Sequence, residues 1–134
     1  GSVKIGGLQE ISTPTERIDL LGTKNYTAPE YLLGSSGDNR SDLFSVGVMA
    51  YEMLTGHLPY GDRLTRELNW KTLNRIRYQS AIRHNPMLPL WMDGALEKAV
   101  KLDLKQRYGH FSEFLFDLKN PNPLFVNRSM PLIE

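Results

Sequence analysis

Apolar residues fill residues 43–54 almost without interruption, with Ser45 and Glu52 as the clearly polar exceptions. Ser41 or Asp42 just before this run is a good helix N-cap, and Gly56 just after it is a good helix end. The pattern therefore predicts a helix over residues 42–55 that is apolar around nearly its whole circumference. A helix of this kind is normally surrounded by protein, since a membrane span needs ~20 apolar residues.

Four further helices are predicted on either side of this one. Pro29 suits the first turn of a short helix over residues 28–33, which Gly34 ends. A basic stretch predicts a helix over 64–79, and apolar stripes predict helices over 93–102 and 108–119. A β-prone stub at residues 3–5 stops at a Gly pair. The fold class is thus mainly α with a short β stub at the N-terminus.

Composition narrows the classes of protein that fit. The chain has 134 residues, no Cys and a net charge of +1. This size favours one domain or part of one, and the absence of Cys excludes disulfide scaffolds and Cys-based zinc sites. A nucleic-acid partner is not expected from so balanced a charge. No leader or long apolar run is visible, so we expect a cytoplasmic protein, with no membrane contact indicated within these residues. A membrane anchor outside these residues is the alternative left open.

Charge is concentrated in residues 61–84, which carry six basic and two acidic residues. This stretch has two interpretations: a surface for acidic proteins or anionic lipid, or a solvated helix face, which we favour. Its basic residues include Arg63, Arg66, Lys71, Arg75 and Arg77.

The three histidines are widely separated in sequence, with no carboxylate pattern around them. They are His57, His84 and His110. No metal site is expected from them.

Five short motifs follow one another along the chain. Residues 22–30 read Gly-Thr-Lys-Asn-Tyr-Thr-Ala-Pro-Glu, and residues 41–47 read Ser-Asp-Leu-Phe-Ser-Val-Gly. Residues 54–60 read Leu-Thr-Gly-His-Leu-Pro-Tyr, and residues 103–107 read Asp-Leu-Lys-Gln-Arg. An aromatic-rich amphipathic stretch over residues 108–118 completes the series. A lone Ala-Pro-Glu is weak evidence, but five motifs in one order are specific.

These motifs resemble the C-lobe of eukaryotic-type protein Ser/Thr kinases, with Phe44 where the family has Trp and Leu104 where it has Pro. The residues that make up these motifs are most similar to those of bacterial Ser/Thr kinases, and among them to those of kinases fused to phosphatases. The resemblance implies a partial protein-kinase-like C-lobe. It divides the chain into an activation segment (1–30), a helical subdomain (31–119) and a tail (120–134).

The motifs that perform kinase chemistry are absent from this sequence. It contains no Gly-rich loop, no ATP-contacting Lys and no His-Arg-Asp loop. Gly1 is either the last residue of an Asp-Phe-Gly motif or, with Ser2, an added pair. The resemblance therefore implies no catalytic residue in this chain. ATP and Mg are expected cofactors of the complete kinase, and none is expected to bind this part alone.

The resemblance assigns supporting roles to individual residues. Thr23 and Tyr26 would bind substrate, and Thr at this place points to Ser/Thr specificity. Glu30 and Arg107 would form a buried ion pair; the alternative is two solvated charges worth ~0–1 kcal/mol. Asp42 would accept backbone N–H bonds from the catalytic loop, the alternative being a simple helix N-cap.

Three activation-segment hydroxyls are candidate phosphorylation sites, with a flexible unmodified loop as the alternative: Ser12, Thr13 and Thr15.

The sequence leaves two functions open. The first is a protein Ser/Thr kinase of which this chain supplies the activation segment and substrate platform. The second is a pseudokinase or scaffold that binds proteins without catalysis. Expected partners are protein substrates and, through helix 42–55, the rest of the kinase domain or a second copy. We expect an exposed strip on that helix to include parts of Phe44, Val48 and Tyr51.

Overall fold

The structure is a computed structural model that describes residues 24–66, 69 and 71–126. This part of the chain contains helices and no strands, which confirms the mainly α prediction; the β stub lies outside it. The α-helices of the described residues are α1 (Pro29–Leu32), α2 (Asn39–Thr55), α3 (Arg63–Arg66), α4 (Leu90–Ala99), α5 (Phe111–Lys119) and α6 (Pro123–Val126). Short 3-10 helices lie at Lys24–Tyr26, Leu73–Arg75, Ala81–Arg83 and Leu104–Gln106.

Helix α2 begins three residues before the predicted start because Asp38 is its N-cap, not Ser41 or Asp42. The Asp38 carboxylate accepts a hydrogen bond from the backbone N–H of Arg40 at 2.8 Å. The backbone N–H of Asp38 in turn donates to the Ser41 hydroxyl at 3.2 Å. This reciprocal arrangement satisfies the amide groups at the helix start. At the other end Gly56 closes the helix with a φ of 76°, as predicted.

The predicted helix over residues 64–79 is wrong. Within the described residues of this stretch, only α3 and the 3-10 turn at Leu73–Arg75 are helical. One reason is local: the Asn69 side chain accepts hydrogen bonds from the backbone N–H groups of Lys71 and Thr72, at 2.8 and 3.0 Å. A turn of this kind competes with helix formation for the same donors.

Helices α4 and α5 match the predicted elements with shifted ends. Helix α4 starts three residues earlier than predicted, directly after Pro89, which lies in the extended region that a helix N-cap adopts. Helix α5 starts three residues later, after His110. Helix α6 was not predicted, and the Asn122 side chain caps it by accepting from the backbone N–H of Leu124 at 2.9 Å.

Helices α2 and α4 approach closely at Gly47. A Cβ atom on Gly47 would lie 2.9 Å from both Ala99 Cβ and Val100 Cγ1. Any larger residue would push the two helices apart, so the packing explains why Gly is needed here.

The exposed face of α2 is not the one that we expected. Phe44, Val48 and Tyr51 are all buried, each at most 1% exposed. The exposed residues of the helix instead lie at helical spacing on the other side, namely Asp42, Met49 and Met53; we call these three, with the half-buried Val46 among them, the outer strip. Within it Met49 is 44% exposed and Met53 84%. Among the helices of the described residues, α2 included, none is long and apolar enough to span a membrane.

Candidate functional site

Glu30, at the start of α1, and Arg107, after the last 3-10 turn, form a buried ion pair across 77 positions of sequence. The two guanidinium nitrogens donate to the two carboxylate oxygens at 2.7 and 2.8 Å. Both residues are only 4% exposed. A bidentate pair of this geometry is strong and directional, so it fixes α1 to the chain that follows α4.

Arg107 also binds three backbone carbonyl groups, which belong to two segments of the chain. Its guanidinium donates to the carbonyl oxygens of Arg40 at 3.0 Å, Lys101 at 2.6 Å and Leu102 at 3.4 Å. With the bonds to Glu30, this uses five donors, which is the full capacity of the group. The guanidinium also lies 4.9 Å from the ring centre of Phe44. A Lys at this place would have neither the donors nor the planar shape.

Burial and hydrogen bonding act in opposite directions on Glu30. Burial raises the pKa of the Glu30 carboxyl, but hydrogen bonds from Arg107 and from the Ser41 hydroxyl lower it. The net result is a pKa below the ordinary value of 4.5. Glu30 is therefore ionised at neutral pH, as the pair requires.

Tyr26 is held by a contact that the sequence did not reveal. Its hydroxyl donates a hydrogen bond to the Glu52 carboxylate on α2. This bond, with burial and the carboxylate charge adding to it, raises the pKa of the Tyr26 hydroxyl. The segment between Tyr26 and Glu30 is thus held at both ends, by α2 at one and by Arg107 at the other.

Asp42 lies exposed in the first turn of α2. Among the described residues it has no hydrogen-bond partner. Its carboxylate is therefore available to a segment outside them, and the role predicted for it stays a prediction.

The remaining predicted site residues lie outside the described part of the chain. They are Thr23 and the candidate phosphorylation sites Ser12, Thr13 and Thr15.

The histidines are closer together than their sequence positions suggest. The rings of His57 and His84 stack with centres 3.9 Å apart. Within the described residues, however, no three His, Cys, Asp or Glu side chains come together in a way that could hold a metal ion.

Asp93, on α4, is a structural residue that sequence reasoning missed. It is fully buried and accepts hydrogen bonds from the Tyr78 hydroxyl, the Ser80 hydroxyl and the Ala81 backbone N–H, at 2.7–2.8 Å. Burial, and then the Asp93 charge, raise the pKa of Tyr78 well above its ordinary value, so that it remains a donor. Asp93 thus holds the loop over residues 78–81 against α4.

Replacing Asp93 with Ala is expected to destabilise the fold by roughly 1–3 kcal/mol, because buried donors lose their acceptor. Thermal unfolding of the complete protein would measure the loss. Asp103→Ala is the matched control: Asp103 also accepts a backbone N–H, from Lys105 at 3.0 Å, but it is exposed. Equal effects of the two substitutions would contradict the assignment.

Comparison with known proteins agrees with this architecture. The family described as "Protein kinase domain" matches residues 5–120. A "Probable serine/threonine-protein kinase PknB" from Bifidobacterium longum is 33% identical over 121 residues, which cover 90% of this chain and 17% of that protein. "Serine/threonine-protein kinase PrkC" from Bacillus subtilis is 29% identical over 108 residues, covering 81% of this chain and 16% of that protein.

A third relative shows a shorter match of higher identity. "Serine/threonine-protein kinase PknL" from Mycobacterium tuberculosis is 51% identical over 41 residues, or 31% of this chain and 10% of that protein. The chain thus spans less than a fifth of the length of each of these relatives. The narrower resemblance to kinases fused to phosphatases stays a prediction. The family match over most of the sequence, together with the helical architecture, shows that this chain belongs to the protein kinase domain family.

Proposed function

We propose that the complete protein is a serine/threonine kinase that transfers the γ-phosphate of ATP to Ser or Thr hydroxyls of protein substrates. In this proposal the present chain supplies the activation segment and the platform that holds the substrate. Residues 1–30 are the activation segment, residues 31–119 the helical subdomain and residues 120–134 the tail. The names of the relatives support the reaction class.

One observation carries the platform assignment: the buried Glu30–Arg107 pair. Catalysis of phosphoryl transfer is mostly positioning, and a substrate can be positioned only by a segment that is itself held in place. The pair fixes one end of the segment over residues 26–30, and the Tyr26–Glu52 hydrogen bond fixes the other. We propose that Thr23 and Tyr26 contact the substrate, and that Asp42 accepts backbone N–H bonds from the catalytic loop.

ATP and Mg are the cofactors that the protein kinase family uses. The sequence of this chain has no Gly-x-Gly-x-x-Gly phosphate loop. We therefore assign ATP and Mg to the rest of the kinase domain and derive no catalytic step for them here.

A radioactive ATP assay separates the proposed kinase from a scaffold. The complete protein, incubated with ATP and Mg, is expected to phosphorylate itself or a Ser/Thr peptide mixture. The purified 134-residue chain is expected to show no phosphoryl transfer, because it lacks the catalytic motifs. Mass spectrometry of the same samples tests Ser12, Thr13 and Thr15. Transfer by the 134-residue chain alone would contradict the assignment of catalysis to the rest of the kinase domain. No transfer by the complete protein would favour the scaffold function.

A further inference from the structure

A cavity of about 470 Å³ lies between α4, α5 and the residue before α6. Lys98 lines it from α4, Glu113 and Phe116 line it from α5, and Asn122 lines it just before α6. We call it the α5 cavity. Its volume is within the range of ligand-binding pockets, so a long side chain from another segment fits inside it.

Two carboxylates in the wall of the α5 cavity each keep one oxygen for a further donor. Asp117 is only 8% exposed, and its Oδ2 accepts hydrogen bonds from the Tyr108 hydroxyl at 2.8 Å and the Asn122 amide at 3.1 Å. Its Oδ1 accepts none from a described residue. Glu113 is exposed and uses Oε1 to accept the backbone N–H of His110 at 3.3 Å.

The charge of the α5 cavity is negative on balance. Lys98 is the cation among its lining residues, set against the carboxylates of Glu113 and Asp117. The Lys98 ammonium lies 4.6 Å from the ring centre of Tyr108 and forms no ion pair with either carboxylate. An occupant that brings a cation is therefore favoured, and a guanidinium matches carboxylate oxygens better than an ammonium does.

An aromatic ring forms the apolar part of the same wall. Phe116 lines the cavity and is 63% exposed. Covering such a ring is favourable by the area that leaves water. The α5 cavity thus presents two carboxylates beside an exposed ring, which is complementary to a segment that carries a cation followed by apolar side chains.

The described chain ends at the edge of this cavity. The Val126 backbone N–H donates to the carbonyl oxygen of Asn122 at 3.0 Å, and the Asn122 side chain is bonded to Asp117. Helix α6 is also packed tightly on α4, since a Cβ atom on Gly94 would lie 2.6 Å from the Phe125 ring. The residues after Val126 therefore start from a fixed point beside the cavity.

The sequence after Val126 has the side chains that the cavity fits. Residues 127–134 read Asn-Arg-Ser-Met-Pro-Leu-Ile-Glu, so that Arg128 precedes an apolar run over residues 130–133. An extended chain spans up to ~3.3–3.6 Å per residue, which is ample for this segment to reach Phe116. A short tether also gives a segment a high effective concentration at a nearby site, which favours it over a separate protein with similar side chains.

We propose that residues 127–134 fold back and bind in the α5 cavity. The Arg128 guanidinium pairs with the available oxygens of Glu113 and Asp117, and the apolar run over residues 130–133 covers the Phe116 ring. The segment thereby fixes the direction in which the chain continues after α6. This inference does not depend on the proposed kinase function.

Cross-linking of the complete protein with a short bismaleimide tests the proposal. The described helix α5 offers a conservative site inside the cavity, Ser112→Cys, and the segment offers another, Ser129→Cys. This pair is expected to cross-link roughly tenfold faster than the control pair Leu115→Cys with Ser129→Cys. Leu115 is exposed on the same helix but does not line the cavity. Peptide mapping by mass spectrometry locates the cross-link.

Charge reversal then tests the ion pair within the Ser112→Cys, Ser129→Cys protein. Arg128→Glu alone and Glu113→Arg alone are each expected to abolish the faster cross-linking, and the two together are expected to restore part of it. Asp103→Arg is the matched control and is expected to change nothing. Asp103 is also exposed and also accepts a backbone N–H, from Lys105 at 3.0 Å, but it does not line the cavity.

Three results would overturn the docking of this segment. The first is equal cross-linking of the cavity pair and the Leu115→Cys control pair. The second is an equal loss in Glu113→Arg and Asp103→Arg. The third is cross-linking between two molecules when a Ser112→Cys protein is mixed with a Ser129→Cys protein, which would make a second copy the occupant.

Discussion

Arg107→Ala is expected to destabilise the protein by about 3–5 kcal/mol, the usual loss when one partner of a buried ion pair is removed. The substitution leaves the Glu30 carboxylate buried with the Ser41 hydroxyl as its remaining side-chain donor among the described residues. It also frees the three carbonyl oxygens that Arg107 now joins. Equilibrium urea unfolding of the complete protein, followed by tryptophan fluorescence, would measure the change.

Arg40→Ala is the matched control for that measurement. Arg40 pairs with Asp38 at 2.9 Å, but both side chains are partly exposed, so its loss is expected to change the free energy of unfolding far less than the loss of Arg107. The loss of stability in Arg107→Lys is expected to lie between those of the two Ala variants. Lys keeps the positive charge but lacks the planar guanidinium that donates two parallel hydrogen bonds to a carboxylate. An Arg107→Ala midpoint equal to that of the wild type within error would refute the importance of the pair.

The same pair gives an acid dependence with a definite sign. The Glu30 carboxyl has a pKa below 4.5 in the fold and near that value when unfolded. Its stabilising effect is therefore complete above about pH 4.5 and disappears as the pH falls through the folded pKa. The wild type is expected to lose more stability than Arg107→Ala over that range, and equal losses would contradict the assignment.

Much of the helical layout could be predicted from the sequence, because apolar periodicity and helix-ending residues are local signals. The run over residues 43–54 and Gly56 located α2. The start of that helix was misplaced because Asp38, Ser41 and Asp42 are all good caps, and only the backbone geometry selects Asp38. The helix predicted over residues 64–79 failed because side-chain bonds such as those of Asn69 compete with it.

The site was predictable only where a family motif marked it. Glu30 and Arg107 lie 77 positions apart, and no periodicity in the sequence relates them. Their pairing was predicted only because each lies in a motif that resembles the kinase family. Glu52 and Asp93 escaped notice because their partners, the hydroxyls of Tyr26 and Tyr78, come from distant or irregular segments. The buried face of α2 was misassigned because a helix that is apolar all round gives no sequence signal for its exposed side.

The outer strip of α2 leads to a prediction about the isolated chain. Met49 and Met53 are 44% and 84% exposed, and burying side chains of this size is worth ~1.5–3 kcal/mol each. Next to them, Asp42 has no partner among the described residues. We propose that the rest of the kinase domain covers the outer strip in the complete protein. The purified chain is then expected to associate through this strip rather than remain a well-packed monomer.

Replacing Met49 and Met53 together with Lys is expected to act in opposite directions in the two contexts. In the isolated chain the charges repel a second copy, so light scattering after size exclusion is expected to shift toward the monomer of 15.3 kDa. In the complete protein the same charges would be forced into a covered interface, and stability is expected to fall by several kcal/mol, roughly the lost burial of two large side chains. Met87→Lys, at a site 89% exposed in a loop, is the control and is expected to change neither measurement. A wild-type chain that is monodisperse at 15.3 kDa and melts cooperatively would show that the outer strip needs no cover.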